Sequence, residues 1–121
     1  MNVLIVESSK DLAAVWRRHL ERMGAVVYTA DTQDTATDLL HEIPFSVIVL
    51  DLVLEEGSAL AVADFASYRQ PETQVIFVTN TSFFSDGSIF QHCANACAYL
   101  PSATSPSDLA TMVEHYAQVA E

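Results

Sequence analysis

Apolar residues fall into two kinds of run along this chain. The first kind is short, continuous and rich in β-formers: Asn2-Val-Leu-Ile-Val6, Ala25-Val-Val-Tyr-Thr29, Phe45-Ser-Val-Ile-Val-Leu50, Gln74-Val-Ile-Phe-Val78 and Cys97-Ala-Tyr-Leu100. Runs of this length without alternation predict strands buried on both faces of a parallel sheet. The second kind recurs at helical spacing, with Leu12, Trp16, Leu20 and Met23, then Ala36, Leu39, Leu40 and Ile43, and finally Leu109, Met112, Val113 and Tyr116. Each set marks the inner face of an amphipathic helix.

Punctuation between the runs agrees with this division. Ser8-Ser9-Lys10-Asp11 has the Ser-x-x-acid form of a helix start, and Gly24 suits the end of that helix. Helices are predicted over Asp31–Glu42, over Ser58–Tyr68 after a loop containing Gly57, and over Ser85–Ala94. Ser105-Pro106-Ser107-Asp108 opens the last helix with a cap, a proline at the first helical position and an acid two residues later. Five strands, each followed by a helix, predict an α/β fold with right-handed crossovers. The expected architecture is a doubly wound five-stranded parallel sheet in a three-layer sandwich, one domain over residues 1–121. No repeat, low-complexity tract or linker interrupts it.

In such sheets ligands bind beyond the carboxyl ends of the strands. Those ends carry Glu7, Thr29–Ala30, Asp51, Thr79–Asn80 and Leu100–Pro101–Ser102. Two acids and a threonine are therefore expected to converge at one rim. Neighbouring carboxylates repel and favour a divalent cation between them, and Mg²⁺ accepts a few carboxylates together with waters and phosphate oxygens. The plainer alternative is that Glu7 and Asp51 cap helices or face solvent.

Charge narrows the partners. Sixteen acids against five bases give a net charge of −11, and the first 23 residues carry +1 while the rest carry −12. A surface of this sign repels nucleic acid and anionic lipid, so partners are expected to be proteins that meet the acidic body or the basic first helix. No segment approaches the roughly 18 apolar residues of a membrane span, and the N-terminus lacks a signal pattern. Cys93 and Cys97 are the only cysteines. Too few for a disulfide scaffold and too poorly spaced for zinc, they read as core residues of a cytoplasmic protein.

The order Val-Leu-Ile-Val-Glu7, Val-Ile-Val-Leu-Asp51-Leu, Val-Ile-Phe-Val-Thr79 and Ala-Tyr99-Leu, with a helix start at Asp108-Leu109, resembles the receiver domain of bacterial response regulators from end to end. The resemblance implies a flavodoxin-like fold and a phosphoryl group received on Asp51 from a histidine kinase or a histidine phosphotransfer protein. It implies that Thr79 supplies the hydroxyl that meets the phosphoryl group and that Tyr99 is the aromatic switch. It also implies Mg²⁺ held by Glu7, Asp51 and the backbone carbonyl of Val53. The face around Phe83, Phe84, Phe90 and Tyr99 would contact a downstream protein or a second copy.

Departures from that pattern fall on the chemistry. Receivers usually place two adjacent acids after the first strand, and here Ser8 follows Glu7. They carry a Lys-Pro pair after the fifth strand, where this chain has Ser102 and Ala103. Lys10 is the only lysine, placed in the first helical turn and assigned to solvent. Losing a charge-assisted contact to a buried anion costs on the order of 1.5–3 kcal/mol, so weak Mg²⁺ binding and slow phosphorylation are expected. Three functions follow: a stand-alone receiver in a phosphorelay, a phosphorylation-independent interaction module, and a Mg²⁺-dependent phosphate-transferring enzyme using Glu7 and Asp51. The last is disfavoured, because Asp51-Leu-Val53 lacks the second acid of the haloacid dehalogenase type and no glycine-rich loop follows the first strand. His19, His41, His92 and His115 stand away from the strand ends and suggest no catalytic centre. The chain is expected not to be an enzyme beyond self-phosphorylation at Asp51.

Overall fold

The computed structural model describes residues 1–79 and 96–120. Within them run β1 (Asn2–Val6), α1 (Lys10–Arg22), β2 (Val26–Ala30), α2 (Gln33–Glu42), β3 (Val47–Asp51), α3 (Ala59–Arg69), β4 (Gln74–Thr79), β5 (Ala96–Pro101) and α4 (Pro106–Ala120). The predicted helix over residues 85–94 lies outside the described residues, as do Asn80, Phe83, Phe84, Phe90 and Cys93. The strands form one parallel sheet in the order β2-β1-β3-β4-β5, which is the flavodoxin-like arrangement.

Strand periodicity divides the core in two. Leu4, Val6, Ile48, Leu50, Val75 and Phe77 face α2 and α3, where they pack with Ala36, Leu40, Val62 and Ala66. Val3, Ile5, Val47, Val49, Ile76 and Val78 face α1 and α4 and pack with Trp16, Leu20, Leu109 and Val113. Burying each such branched side chain contributes roughly 1.5–3 kcal/mol, which is why uninterrupted apolar runs persist in a sheet covered on both sides. Trp16, the chain's only tryptophan, is 2 % exposed.

Helix ends correct the sequence reading in one informative place. Ser9, not Ser8, caps α1, its Oγ accepting from Leu12 N–H at 3.3 Å. Ser8 is used elsewhere. Thr32 caps α2, so that helix begins two residues later than Asp31, and Ser58 caps α3 as expected. Ser105 Oγ accepts from Asp108 N–H at 3.2 Å, and Gly24 adopts φ +97° just past the C-cap of α1. Strand β2 lies one residue later than predicted, because Val26 pairs with Asn2.

At the amino-terminal end of the sheet a partly buried polar network ties α2, the start of β3 and the α3–β4 turn together. Gln70 Nε2 donates to the carbonyls of Leu40 (2.7 Å) and Ile43 (2.6 Å), and its Oε1 accepts from Phe45 N–H at 2.8 Å. Thr73 Oγ1 donates to Phe45 O at 2.8 Å and lies 3.0 Å from Gln70 Oε1. No helix among the described residues is long and apolar enough to cross a membrane.

Candidate functional site

Because all five strands run the same way, their carboxyl ends meet at one rim. Val6 is in register with Leu50, which sets the next residues, Glu7 and Asp51, side by side. Asp51 is in register with Val78, which puts Thr79 one position farther along the adjoining strand. Backbone bonds fix the exits from the strands: Glu7 N to Ala30 O at 2.9 Å, Leu52 N to Val78 O at 2.9 Å and Ser102 N to Thr79 O at 2.8 Å. The three residues singled out from the sequence are thus brought together by neighbouring strands.

Glu7 is the unusual member. It is only 5 % exposed, and its Oε2 has no hydrogen-bond partner among the described residues. Burial, followed by the hydrogen bond and like charge of the adjacent Asp51 carboxyl, pushes its pKa up to about 8, and the more distant Glu55 adds to the rise. The Ser8 backbone acts in the opposite direction. At neutral pH the protonated form of Glu7 is therefore favoured. Asp51 is half-buried, and its Oδ1 accepts from Val53 N–H at 2.9 Å, a short-range turn that restrains the carboxylate. Thr79 is buried, while Val53 is 61 % exposed at the mouth.

The loop from Leu52 to Ser58 is fastened at two points. Ser8 Oγ accepts from Glu55 N–H at 2.9 Å and lies 3.5 Å from Asp31 O, so one hydroxyl links the β1–α1, β2–α2 and β3–α3 loops. Gln33 Oε1 accepts from Ser58 N–H at 2.8 Å, and Gln33 N donates to Glu56 O at 3.2 Å. Gly57, at φ +92°, sits so close to Gln33 that an added Cβ would collide with that side chain, so both the turn and the close approach require glycine. Sequence reasoning missed Ser8 and Gln33. The Ser8-Ser9 doublet was a signal, since only one hydroxyl of two neighbours can cap the helix.

Tyr99 is in register with Phe77 and packs, half-buried, against the core on the α2–α3 side. Lys10 is exposed and lines a cleft of about 380 Å³ between α1 and β2 that includes Glu7 but neither Asp51 nor Thr79. Among the described residues no group of three or more His, Cys, Asp or Glu gathers to hold a metal. The donors present are the carboxyl groups of Glu7 and Asp51, and hard oxygen ligands with one buried oxygen unpartnered among the described residues fit a Mg²⁺-type cation that would displace the Glu7 proton and complete its shell with water and phosphate oxygens.

Residues 3–114 match the response regulator receiver domain. The chain belongs to that family. It is 29 % identical over 77 residues to the response regulator receiver protein CpdR of Brucella abortus, a match spanning 64 % of each protein. Its fold superposes with a TM-score of 0.89 on a CheY-like response regulator receiver domain protein from Methanospirillum hungatei, at 20 % identity and covering 98 % of this chain and 94 % of the other. A response regulator from Burkholderia pseudomallei, solved with a phosphorylated aspartic acid, a calcium ion and citrate, gives a TM-score of 0.84 at 24 % identity, covering 98 % of this chain and 69 % of that one. Within the matched range, Asp51 and Thr79 stand at the rim, Ser8 follows Glu7, and no lysine follows β5.

Proposed function

We propose that this receiver accepts a phosphoryl group on Asp51 from a histidine kinase or a histidine phosphotransfer protein and passes the signal on by protein–protein contact. The observation that carries the reading is the buried, unpartnered Oε2 of Glu7 beside Asp51. An unsatisfied carboxylate oxygen costs about 1–3 kcal/mol or more, a cost that persists where the site is kept ready for a charged guest. In the transfer the donor's N–P bond breaks and an Asp51 O–P bond forms, the donor imidazole keeping the electron pair. Thr79 hydroxyl binds a phosphoryl oxygen, and the Val53 N–H bond holds Asp51 in place for attack. Glu7, Asp51 and the carbonyl of Val53 would hold Mg²⁺, which neutralises charge on the phosphoryl oxygens. The phosphorylated aspartic acid in the Burkholderia protein, which shares this fold, supports the phosphoacceptor assignment. We assign Tyr99 to the surface that reports phosphorylation to a target; Phe83, Phe84 and Phe90, which the resemblance groups with it, lie outside the described residues.

Two features make the chemistry slow. No lysine follows β5 to clamp the phosphoryl oxygens, and Ser8, which accepts Glu55 N–H on its Oγ, stands in place of a second acid. That same bond favours a second reading, a receiver that works as an interaction module without phosphorylation, since it fastens the loop beside Asp51 through the protein's own groups.

Incubation with Mg²⁺ and acetyl phosphate, followed by intact-mass measurement, decides between them. A single added phosphoryl group that disappears in Asp51→Asn is expected. No adduct, combined with no spectroscopic response to beryllofluoride, overturns the phosphoacceptor reading in favour of the interaction module.

A further inference from the structure

Strand β2 closes one edge of the sheet, and its outer side pairs with no strand among the described residues. Val26 is 52 % exposed there and Thr29 is also exposed. The two helices flanking this edge lie on opposite faces of the sheet, α1 with α4 and α2 with α3. They carry opposite charge. Helix α1 contributes Lys10, Arg17, Arg18 and Arg22, all exposed, against Asp11 and Glu21. Helix α2 contributes Asp34, Asp38 and Glu42, all exposed, with no lysine or arginine. Its Gln33 and His41 are turned to α3, through Ser58, Phe65 and Arg69, which leaves the three acids on the outer side.

The rows match in spacing. Lys10, Ala14 and Arg18 step by four residues, as do Asp34, Asp38 and Glu42, so each row spans about 12 Å along its helix. Beside the basic row, the cleft of about 380 Å³ is floored by Ala13, Ala14 and Ala30, small residues that let another helix come close, and carries the acids Glu7 and Asp31 as well as Lys10 and Arg17. Within one molecule the rows cannot meet, because the sheet separates them. Among the described residues the only ion pair is Arg17 with Glu21 at 3.4 Å, both about half exposed, so Lys10 and Arg18 keep their charge for another partner.

We propose that this edge binds a second copy of the chain in a two-fold dimer. A two-fold axis parallel to β2 exchanges the two faces of the sheet. Each copy's α1 then lies beside the other's α2, both running in the same direction, with Lys10 facing Asp34 and Arg17 and Arg18 facing Glu42 of the second copy. The contact is made twice and is self-complementary, which closes the assembly and covers the exposed edge strand. With a net charge of −11 the chains repel at long range, so the opposed rows supply local attraction inside a Debye length.

Charge exchange tests it. Sedimentation of the full chain in low-salt buffer is expected to show a concentration-dependent dimer that dissociates on adding salt. Arg18→Glu alone and Glu42→Arg alone each set like charges opposite one another and are expected to weaken dimerisation by roughly a hundredfold. Carried together in one chain they restore opposite charges at unchanged net charge, and the dimer is expected to return. Circular dichroism melts of all three variants report whether the fold is intact. A chain that stays monomeric at high concentration overturns the proposal. So does a dimer indifferent to salt and to both single reversals, a double variant as weak as the singles, or assembly beyond a dimer. None of these outcomes bears on phosphorylation of Asp51.

Discussion

The two ends of the sheet handle buried polar groups in opposite ways. At the amino-terminal end, the Gln70 amide donates to two carbonyls and accepts from Phe45 N–H, and the Thr73 hydroxyl proton is shared between Phe45 O and Gln70 Oε1. At the carboxyl end, Glu7 is buried more deeply than Gln70, yet one of its oxygens has no partner among the described residues and its neighbour is another acid. The first arrangement uses polar atoms to fix the fold. The second leaves a polar atom unsatisfied where a cation or phosphoryl group would bind. Burial alone does not separate structural from functional polar residues; satisfaction does.

The contrast is most forcefully broken at the satisfied end. Gln70→Ala strands Phe45 N–H and two carbonyls at once and is expected to cost about 4 kcal/mol in urea unfolding, with little effect on metal binding. At the other end the same kind of removal has the opposite sign. Glu7 ionises at pH 4.5 when unfolded and at about 8 when folded, so the folded chain binds the extra proton in between. Its contribution is full below pH 4.5 and is lost as pH rises towards 8. Without divalent cation, Glu7→Gln is therefore expected to stabilise the chain by about 2 kcal/mol near pH 9 and to flatten the fall in stability between pH 5 and 8. In the unsubstituted chain Mg²⁺ is expected to raise the melting temperature more at pH 8 than at pH 6, and chelation to reverse it. An unchanged pH profile in Glu7→Gln would remove the contrast. The smallest effect belongs to the loop fastening. Ser8→Ala is expected to cost about 1 kcal/mol, seen as roughly fivefold faster hydrogen exchange at Glu55 N–H with the core amides unchanged.

The fold was legible because its determinants are local. Apolar runs such as Val47 to Leu50 could only be buried on both faces, and Ser58 and Ser105 announce the helices they cap. The acids of the site were legible for the same reason, as each directly follows such a run. The polar fastenings were not. Ser8 reaches Glu55 across 47 residues, Gln33 reaches Ser58 across 25 and Gln70 reaches Leu40 across 30. Nothing in the residues around a lone serine or glutamine encodes a partner at that distance. Assigning Ser8 to the cap of α1 followed from its neighbours, and only the assembled loops show that Ser9 takes that place.

Trp16 gives this chain a built-in optical probe. A lone indole sealed beneath α1 emits from one known depth, on the same helix whose outer side carries the arginines. Fluorescence therefore follows the α1–α4 layer alone, without any dye or label, and separates loosening of that layer from changes on the far side of the sheet.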